Sequence, residues 1–271
     1  MERNWKRSAA LPFVSLDIET MPDSEGLAPY WNDPDVVPQF ELPAALADGP
    51  KIGNLKDPEK IAAKEREYEA RVRVLEEGFA AEQAKRLSLN PFTAQVVSIA
   101  IYRPGIAMRF SQRAQSERDM LKAFFDWVLG RAGEIQPIVT QNGRRFDCRV
   151  LWARAILLEI VPPGDLEVIR TAWMGAPWKT EAFHRDLMDY YGVNLALLVK
   201  RFLGREKGDE GTRISELVAA GKWEAIELYN MDDAQDTYDL AVLAGAVKPP
   251  AGYQVVKGHR PSRAVQNVEE F

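Results

Sequence analysis

Cysteine, long apolar runs and excess positive charge are all scarce in this 271-residue chain. Cys148 is the only cysteine. It excludes an internal disulfide and fits a reducing compartment, so a cytoplasmic location is expected. No apolar run approaches the roughly 20 residues that a membrane-spanning helix needs. The opening stretch, MERNWKRSAALPFV, has no extended apolar region ahead of its first strand, so no signal peptide is expected. Formal net charge is −5, whereas proteins that coat nucleic acid are usually basic. If this chain handles nucleic acid, it grips a short segment. A content of 46% hydrophobic and 28% charged residues suits one large globular domain, or one domain with additions.

Against that background, the stretch VSLDIETMPD at residues 14–23 stands out. Val14, Leu16 and Ile18 alternate with Asp17 and Glu19. Successive strand side chains point to opposite faces, so the two acids share a face while Leu16 and Ile18 share the other. Strands are expected at 11–20, 95–103 and 105–111, with Pro104-Gly105 turning the last two into a hairpin. A helix is expected over 116–130, with Ser116 as N-cap and Asp119 at the capping-box position. A short strand at 137–143 leads into a helix at 146–160 that stops before Pro162-Pro163. Helices follow at about 187–203, 213–220 and 223–244. The order βββαβα followed by helices implies an α/β fold, a mixed sheet flanked by helices as in the ribonuclease-H-like architecture. That domain is expected to run over 1–247, with 248–271 as a flexible C-terminal tail. Residues 24–90 interrupt it as a long, partly helical insertion. Its first half is Pro-rich, and its second is a helix that Asp57 caps and Pro58 opens. The mixed charges of that helix suit a solvated face, or a lid or dimerisation arm beside the site.

Two more acids give the paired carboxylates a purpose. Asp147, in QNGRRFDCRV, sits in the first turn of a helix directly after a strand. Tyr229 and Asp233, in ELYNMDDAQDTYDL, are four apart and so lie on one helix face. A strand pair, a helix start and a later helix can bring four carboxylates together. Each close pair costs about 4 kcal/mol at an effective dielectric near 20, and divalent cations remove that cost. Hard oxygen ligands, with no Cys and no obligatory His, suit Mg²⁺ or Mn²⁺ rather than zinc. Each element also has a plainer reading: an exposed acidic edge strand, a helix-capping Asp147, a core-packing Tyr229.

These elements resemble the three motifs of DEDD-type 3′–5′ exonucleases. The matching segments are Asp17-x-Glu19 in DIET, Asn142-xxx-Phe146-Asp147 in NGRRFD, and Tyr229-xxx-Asp233 in YNMDD. Tyr229 makes the pattern that of the tyrosine variant. The chain is similar, from about residue 13 to 240, to a stand-alone predicted exonuclease family related to the proofreading domain of family-B DNA polymerases. LNPFTAQVVSIA, HRDLMD, YNMDDAQDTY and the long insertion match that family's landmarks.

The resemblance implies metal-dependent 3′–5′ hydrolysis of phosphodiester bonds in single-stranded or frayed DNA, releasing nucleoside 5′-monophosphates. RNA is the variant substrate, and a non-catalytic nucleic-acid-binding module on the same fold is the alternative. It implies two divalent cations, with Asp17 bridging, Glu19 and Asp233 completing one site and Asp147 holding the other partly through water. Tyr229 would orient or help deprotonate the attacking water. Thr20 would offer backbone contact to the 3′ hydroxyl and Met21 would wedge against the last base. Asn142, Phe146 and Arg145 complete the expected substrate contacts, with Arg144 and Arg149 as further phosphate candidates and Trp173 and Trp178 as stacking ones. His184 and Asp189, in HRDLMD, fit the spacing of the histidine variant and form a rival third motif. At the C-terminus, Gln266, Val268 and Phe271 loosely resemble peptides that dock on a DNA sliding clamp.

Overall fold

The structure is a computed structural model that describes residues 11–130, 134–207, 213–258 and 269–270. The strands are β1 (Val14–Pro22), β2 (Ala94–Arg103), β3 (Ile106–Ser111), β4 (Ile138–Thr140), β5 (His184–Asp186) and the two-residue β6 (Glu269–Glu270). The helices of the insertion are α1 (Ser24–Leu27), α2 (Ala44–Ala47) and α3 (Pro58–Ser88). Those of the core are α4 (Glu117–Val128), α5 (Asp147–Leu157), α6 (Pro163–Met174), α7 (Pro177–Thr180), α8 (Leu187–Tyr191), α9 (Leu195–Leu198), α10 (Ile214–Ala219) and α11 (Trp223–Leu243). No helix among the described residues is long and apolar enough to cross a membrane.

The sheet runs β5-β4-β1-β2-β3, with β6 beside β3. β1, β2 and β3 pair antiparallel, while β4 is parallel to both β1 and β5. This is the expected mixed sheet of ribonuclease-H-like type, flanked by helices, with the long helix α3 inserted after the first strand. Period-two alternation sorts the two cores. Leu16, Ile18, Ile99, Ile101 and Phe110 face α4, α5 and α6. Ala100, Tyr102 and Val139 face α8, α9 and α11. Ser116 caps α4 as its sequence requires, its hydroxyl accepting from the Asp119 amide at 3.1 Å.

Several expected elements differ. β1 runs on to Pro22, and the helix expected over 146–160 is α5, ending at Leu157. Pro162-Pro163 both ends that region and opens α6, because proline fits the first turn of a helix. The helix expected over 187–203 is three pieces, α8, α9 and a π-helical turn at Val199–Leu203. Gly192 ends α8 in the left-handed conformation (φ 68°), and Asn194 caps α9.

The first part of the expected tail is docked. The Arg205 guanidinium bonds Asp236, Asp239 and the carbonyls of Val256 and Gly258, and the Tyr253 hydroxyl bonds Asp239. Of the clamp-like segment, Gln266, Val268 and Phe271 lie outside the described residues.

Candidate active site

The acids of β1 take the face that sequence alternation assigns them. Leu16 and Ile18 enter the core, and Asp17 and Glu19 face α11. There they meet Asp233, and ligand oxygens of Asp17, Glu19 and Asp233 all lie within 4.8 Å of one another. The pairing of β1 with β2 shifts register after Glu19, from Glu19↔Ser98 to Thr20↔Val96, which leaves Val97 as the extra residue of a bulge. A bulge re-aims side chains locally. Val97 packs against α10 and α11, and Ser98 reaches the buried Asn230 of α11 at 3.0 Å. Asn230 in turn donates to Asp17 Oδ2 at 2.8 Å.

Asp147 arrives from the other side. β4 pairs with β1 only at Val14 and Ser15, then stops. Beyond it, the turn at residues 141–146 carries the chain to the start of α5, where the Asp147 carboxylate accepts from the Ile18 backbone amide. This turn is closely specified. Asn142 adopts φ 71°, a conformation that asparagine tolerates better than most residues. Gly143 sits where a Cβ would fall 2.3 Å from Thr140 Oγ1, so no side chain fits. The buried carboxylate of Asp186 accepts from the amides of Asn142 at 2.7 Å and Arg144 at 2.9 Å. The Arg144 guanidinium is consumed by Asp189, Thr180 and the carbonyls of Trp173, Gly175 and His184.

Glu19, Asp147 and Asp233 are buried and Asp17 is half-buried beside them, and crowding four acids out of water raises their pKa values. Burial, then repulsion from Asp233, Glu19 and Asp147, raises Asp17 well above its ordinary value. Burial, then Asp233, does the same to Glu19. Asp147 is pushed up to about 7, first by burial and then by repulsion from Asp186 and Asp233, against backbone hydrogen bonds that lower it. Asp233 is pushed up to about 6, mainly by burial, against the attraction of Lys207. Lys207 reaches in from the loop before α10, its Nζ 2.6 Å from Asp233 Oδ2 and 5.2 Å from the Tyr229 ring centroid. Burial alone would lower its pKa, but Asp233, Tyr229 and Asp17 hold it above the ordinary value, so the ammonium stays charged. Burial, then Asp233, raises Tyr229, which therefore stands as a neutral phenol.

The motif residues thus converge: Asp17, Glu19, Asp147, Tyr229 and Asp233 come together beside β1. The rival pair does not join them. His184 is fully buried, bonding Thr140 Oγ1 at 2.8 Å and the Trp173 carbonyl at 2.6 Å. Burial lowers its pKa to about 3, which keeps it neutral. Asp189 pairs with Arg144 at 3.0 Å.

Among the expected substrate contacts, Arg145 is exposed, and Phe146 is partly buried against the core. The Thr20 hydroxyl donates to the Ser88 carbonyl at 2.8 Å, tying the end of α3 to β1. Met21 packs partly against Val97 and α10. Arg144 and Trp173 are structural rather than substrate-facing, because the first is fully engaged and the second lies in the core. Three residues of the site were not anticipated: Lys207, Asn230 and Asp186. Lys207 lies in a polar loop with no periodicity to mark it, and a single amide or acid on a buried face has no one-dimensional signature.

A family model described as a predicted 3′–5′ exonuclease related to the exonuclease domain of PolB matches residues 94–243. The match spans β2 to α11 and so includes Asp147, Tyr229 and Asp233, while Asp17 and Glu19 precede it. No curated protein matches the chain.

Proposed function

This chain belongs to the family of predicted 3′–5′ exonucleases related to the exonuclease domain of PolB, and from that premise we propose that it hydrolyses phosphodiester bonds at the 3′ end of single-stranded or frayed DNA with the help of two divalent cations. The observation that carries this reading is the convergence of Asp17, Glu19 and Asp233 within 4.8 Å, with Asp147 close enough to repel Asp17. Acids with raised pKa values are short of positive charge, and Lys207 is the one cation paired with them among the described residues. Their all-oxygen donor set fits Mg²⁺ or Mn²⁺.

In this proposal Asp17, Glu19 and Asp233 would hold one cation, and Asp17 and Asp147 the second. When bound, the pair would supply an acidified water near neutral pH and positive charge opposite the leaving 3′ oxygen. Tyr229, held as a phenol, would hydrogen-bond and aim the attacking water rather than remove its proton. Lys207 keeps its charge beside the acids and offers it to a phosphate oxygen. The Thr20 backbone and Met21 would meet the terminal nucleotide, while Asn142, Phe146 and Arg145 line the approach from the α5 side. The products would be nucleoside 5′-monophosphates, and the net charge of −5 suits a short grip on the strand.

The test is incubation with 3′- and 5′-labelled single-stranded DNA and RNA in Mg²⁺, Mn²⁺ or EDTA. Stepwise shortening from the 3′ end, with DNA preferred and EDTA inhibitory, is expected. Undiminished digestion in EDTA would end the metal reading, and preference for RNA would reassign the substrate.

A pair of variants tests the third motif. Tyr229→Phe is expected to lower kcat by about tenfold or more, within the span of groups that direct proton transfer. His184→Ala removes buried hydrogen bonds and lowers the melting temperature, but the folded fraction should keep kcat within about twofold, since both ring nitrogens of His184 are engaged by Thr140 and the Trp173 carbonyl rather than by the acids. Comparing kcat of the folded fractions decides it, and the reverse ranking would move the motif to His184 and Asp189.

A further inference from the structure

Asn230 sits between the tyrosine and the acid of YNMDD, and the motif reading gives it no task. It is fully buried, on the face of α11 that meets β1 and β2. Its Oδ1 accepts from Ser98 Oγ at 3.0 Å and its Nδ2 donates to Asp17 Oδ2 at 2.8 Å. Ser98 is also fully buried, and it reaches Asn230 from β2 next to the bulge residue Val97. The amide is oriented so that Nδ2 faces Asp17 Oδ2 and Oδ1 faces the Ser98 hydroxyl, which places a donor against the acid.

We propose that Asn230, locked by Ser98, is a positioning residue that holds the Asp17 carboxylate in the orientation its cation site requires. This rests on the metal-dependent reading above and adds a part to it. A carboxylate crowded by three other acids tends to rotate away from them or take up a proton. An amide donor on Oδ2 ties down one oxygen and leaves Oδ1 free. Asparagine does this without adding charge, where an aspartate would bring a fifth carboxylate and a lysine would compete with the cation. The bulge is the backbone device that supports it, because it sets Ser98 and Val97 on the side of α11 and thereby fixes the amide from behind. Hydrogen-bonding partners of metal ligands usually govern ligand orientation, and their loss typically costs 10–100-fold in metal affinity or activity.

The experiment is a Mn²⁺ titration followed by electron paramagnetic resonance on the full chain, with melting curves of the same samples in EDTA. The variants are Asn230→Leu, which keeps the branching at Cγ and drops both hydrogen bonds, Ser98→Ala, which keeps the donor and removes its lock, and the double variant. Asn230→Leu is expected to weaken Mn²⁺ binding by roughly tenfold or more. Ser98→Ala should weaken it by a smaller factor, and nothing further should be lost when it is added to Asn230→Leu, because the serine acts only through the amide. A merely structural role would lower the melting temperature and leave the Kd of the folded protein within twofold of wild type, which would overturn the proposal. Independent, multiplying losses from the two substitutions would overturn it as well. If Asn230→Leu fails to fold, an unchanged Kd in Ser98→Ala alone is the overturning result. Wild-type protein that binds no Mn²⁺ would remove both this inference and the reading on which it rests.

Discussion

Asp17→Asn is expected to lower the exonuclease rate by at least about a hundredfold, the scale seen when one preorganised electrostatic group is removed from an active site. Asp17 is singled out because it lies with Glu19 and Asp233 in the ligand cluster, is repelled by Asp147 as well, and alone of the four accepts the Asn230 amide. The same substitution should raise the melting temperature of the metal-free protein. It removes one charge from four, keeps the side-chain shape, and leaves an oxygen to accept from Asn230 Nδ2. Loss of function with a gain in stability marks an acid kept for chemistry, since an acid kept for structure would lose both. The measurement is single-turnover digestion of a 3′-labelled strand beside thermal melting in EDTA. Retention of more than a tenth of the wild-type rate by a folded Asp17→Asn protein would sink the assignment.

The acids of β1 were legible because a strand has a period of two. Two carboxylates on one face, with Leu16 and Ile18 on the other, announce a buried polar face before any contact is known. Tyr229 and Asp233 were legible because four residues make about one helical turn. The rest fails for physical reasons. β5 is His184–Asp186, three polar residues whose strand state comes from pairing with β4, not from their own preference. α6 has no start signal of its own, because Pro162-Pro163 reads as a stop although proline is equally at home in a helix's first turn. The broken segment after Leu187 is decided by Gly192 and Asn194 overriding apolar residues at helical spacing. The docking of residues 253–258 rests on the buried Arg205, on the Tyr253 hydroxyl and on their shared partner Asp239, all far apart in sequence. Lys207 and Asn230 belong to the same class. Their meaning lies in what they touch, and no local pattern carries that.

The metal-free protein is expected to grow less stable as pH rises from about 4 to 7, and divalent cations should reverse the loss at pH 8 but not at pH 5. Asp147 has a folded pKa of about 7 and Asp233 of about 6, both above the ordinary 3.8. Between those values the folded protein holds protons that the unfolded chain has released. Stability rises with pH only where the unfolded state binds more protons, so here it must fall. At about 1.4 kcal/mol for each tenfold change in proton affinity, the two acids together set an upper bound of several kcal/mol. For a chain of this size each kcal/mol is worth about 2 °C in melting temperature. His184 works in the opposite sense. Its folded pKa of about 3 lies below the ordinary 6.5, so its own contribution is lost as pH falls through that interval. The Asp147 part of the acid term is therefore isolated by subtracting the profile of Asp147→Asn, in which His184 is unchanged. As pH rises through about 6 and 7, Asp233 and Asp147 release their protons, and a cation that binds only the folded cluster stabilises it by RT ln(1 + [L]/Kd). At pH 5 protons occupy much of the cluster and compete with the cation. Melting curves at pH 5 and 8, with EDTA or Mn²⁺, decide the matter. Parallel pH profiles for wild type and Asp147→Asn in EDTA, or an equal rise with Mn²⁺ at both pH values, would show that the four carboxylates are not the charged, cation-seeking cluster their burial implies.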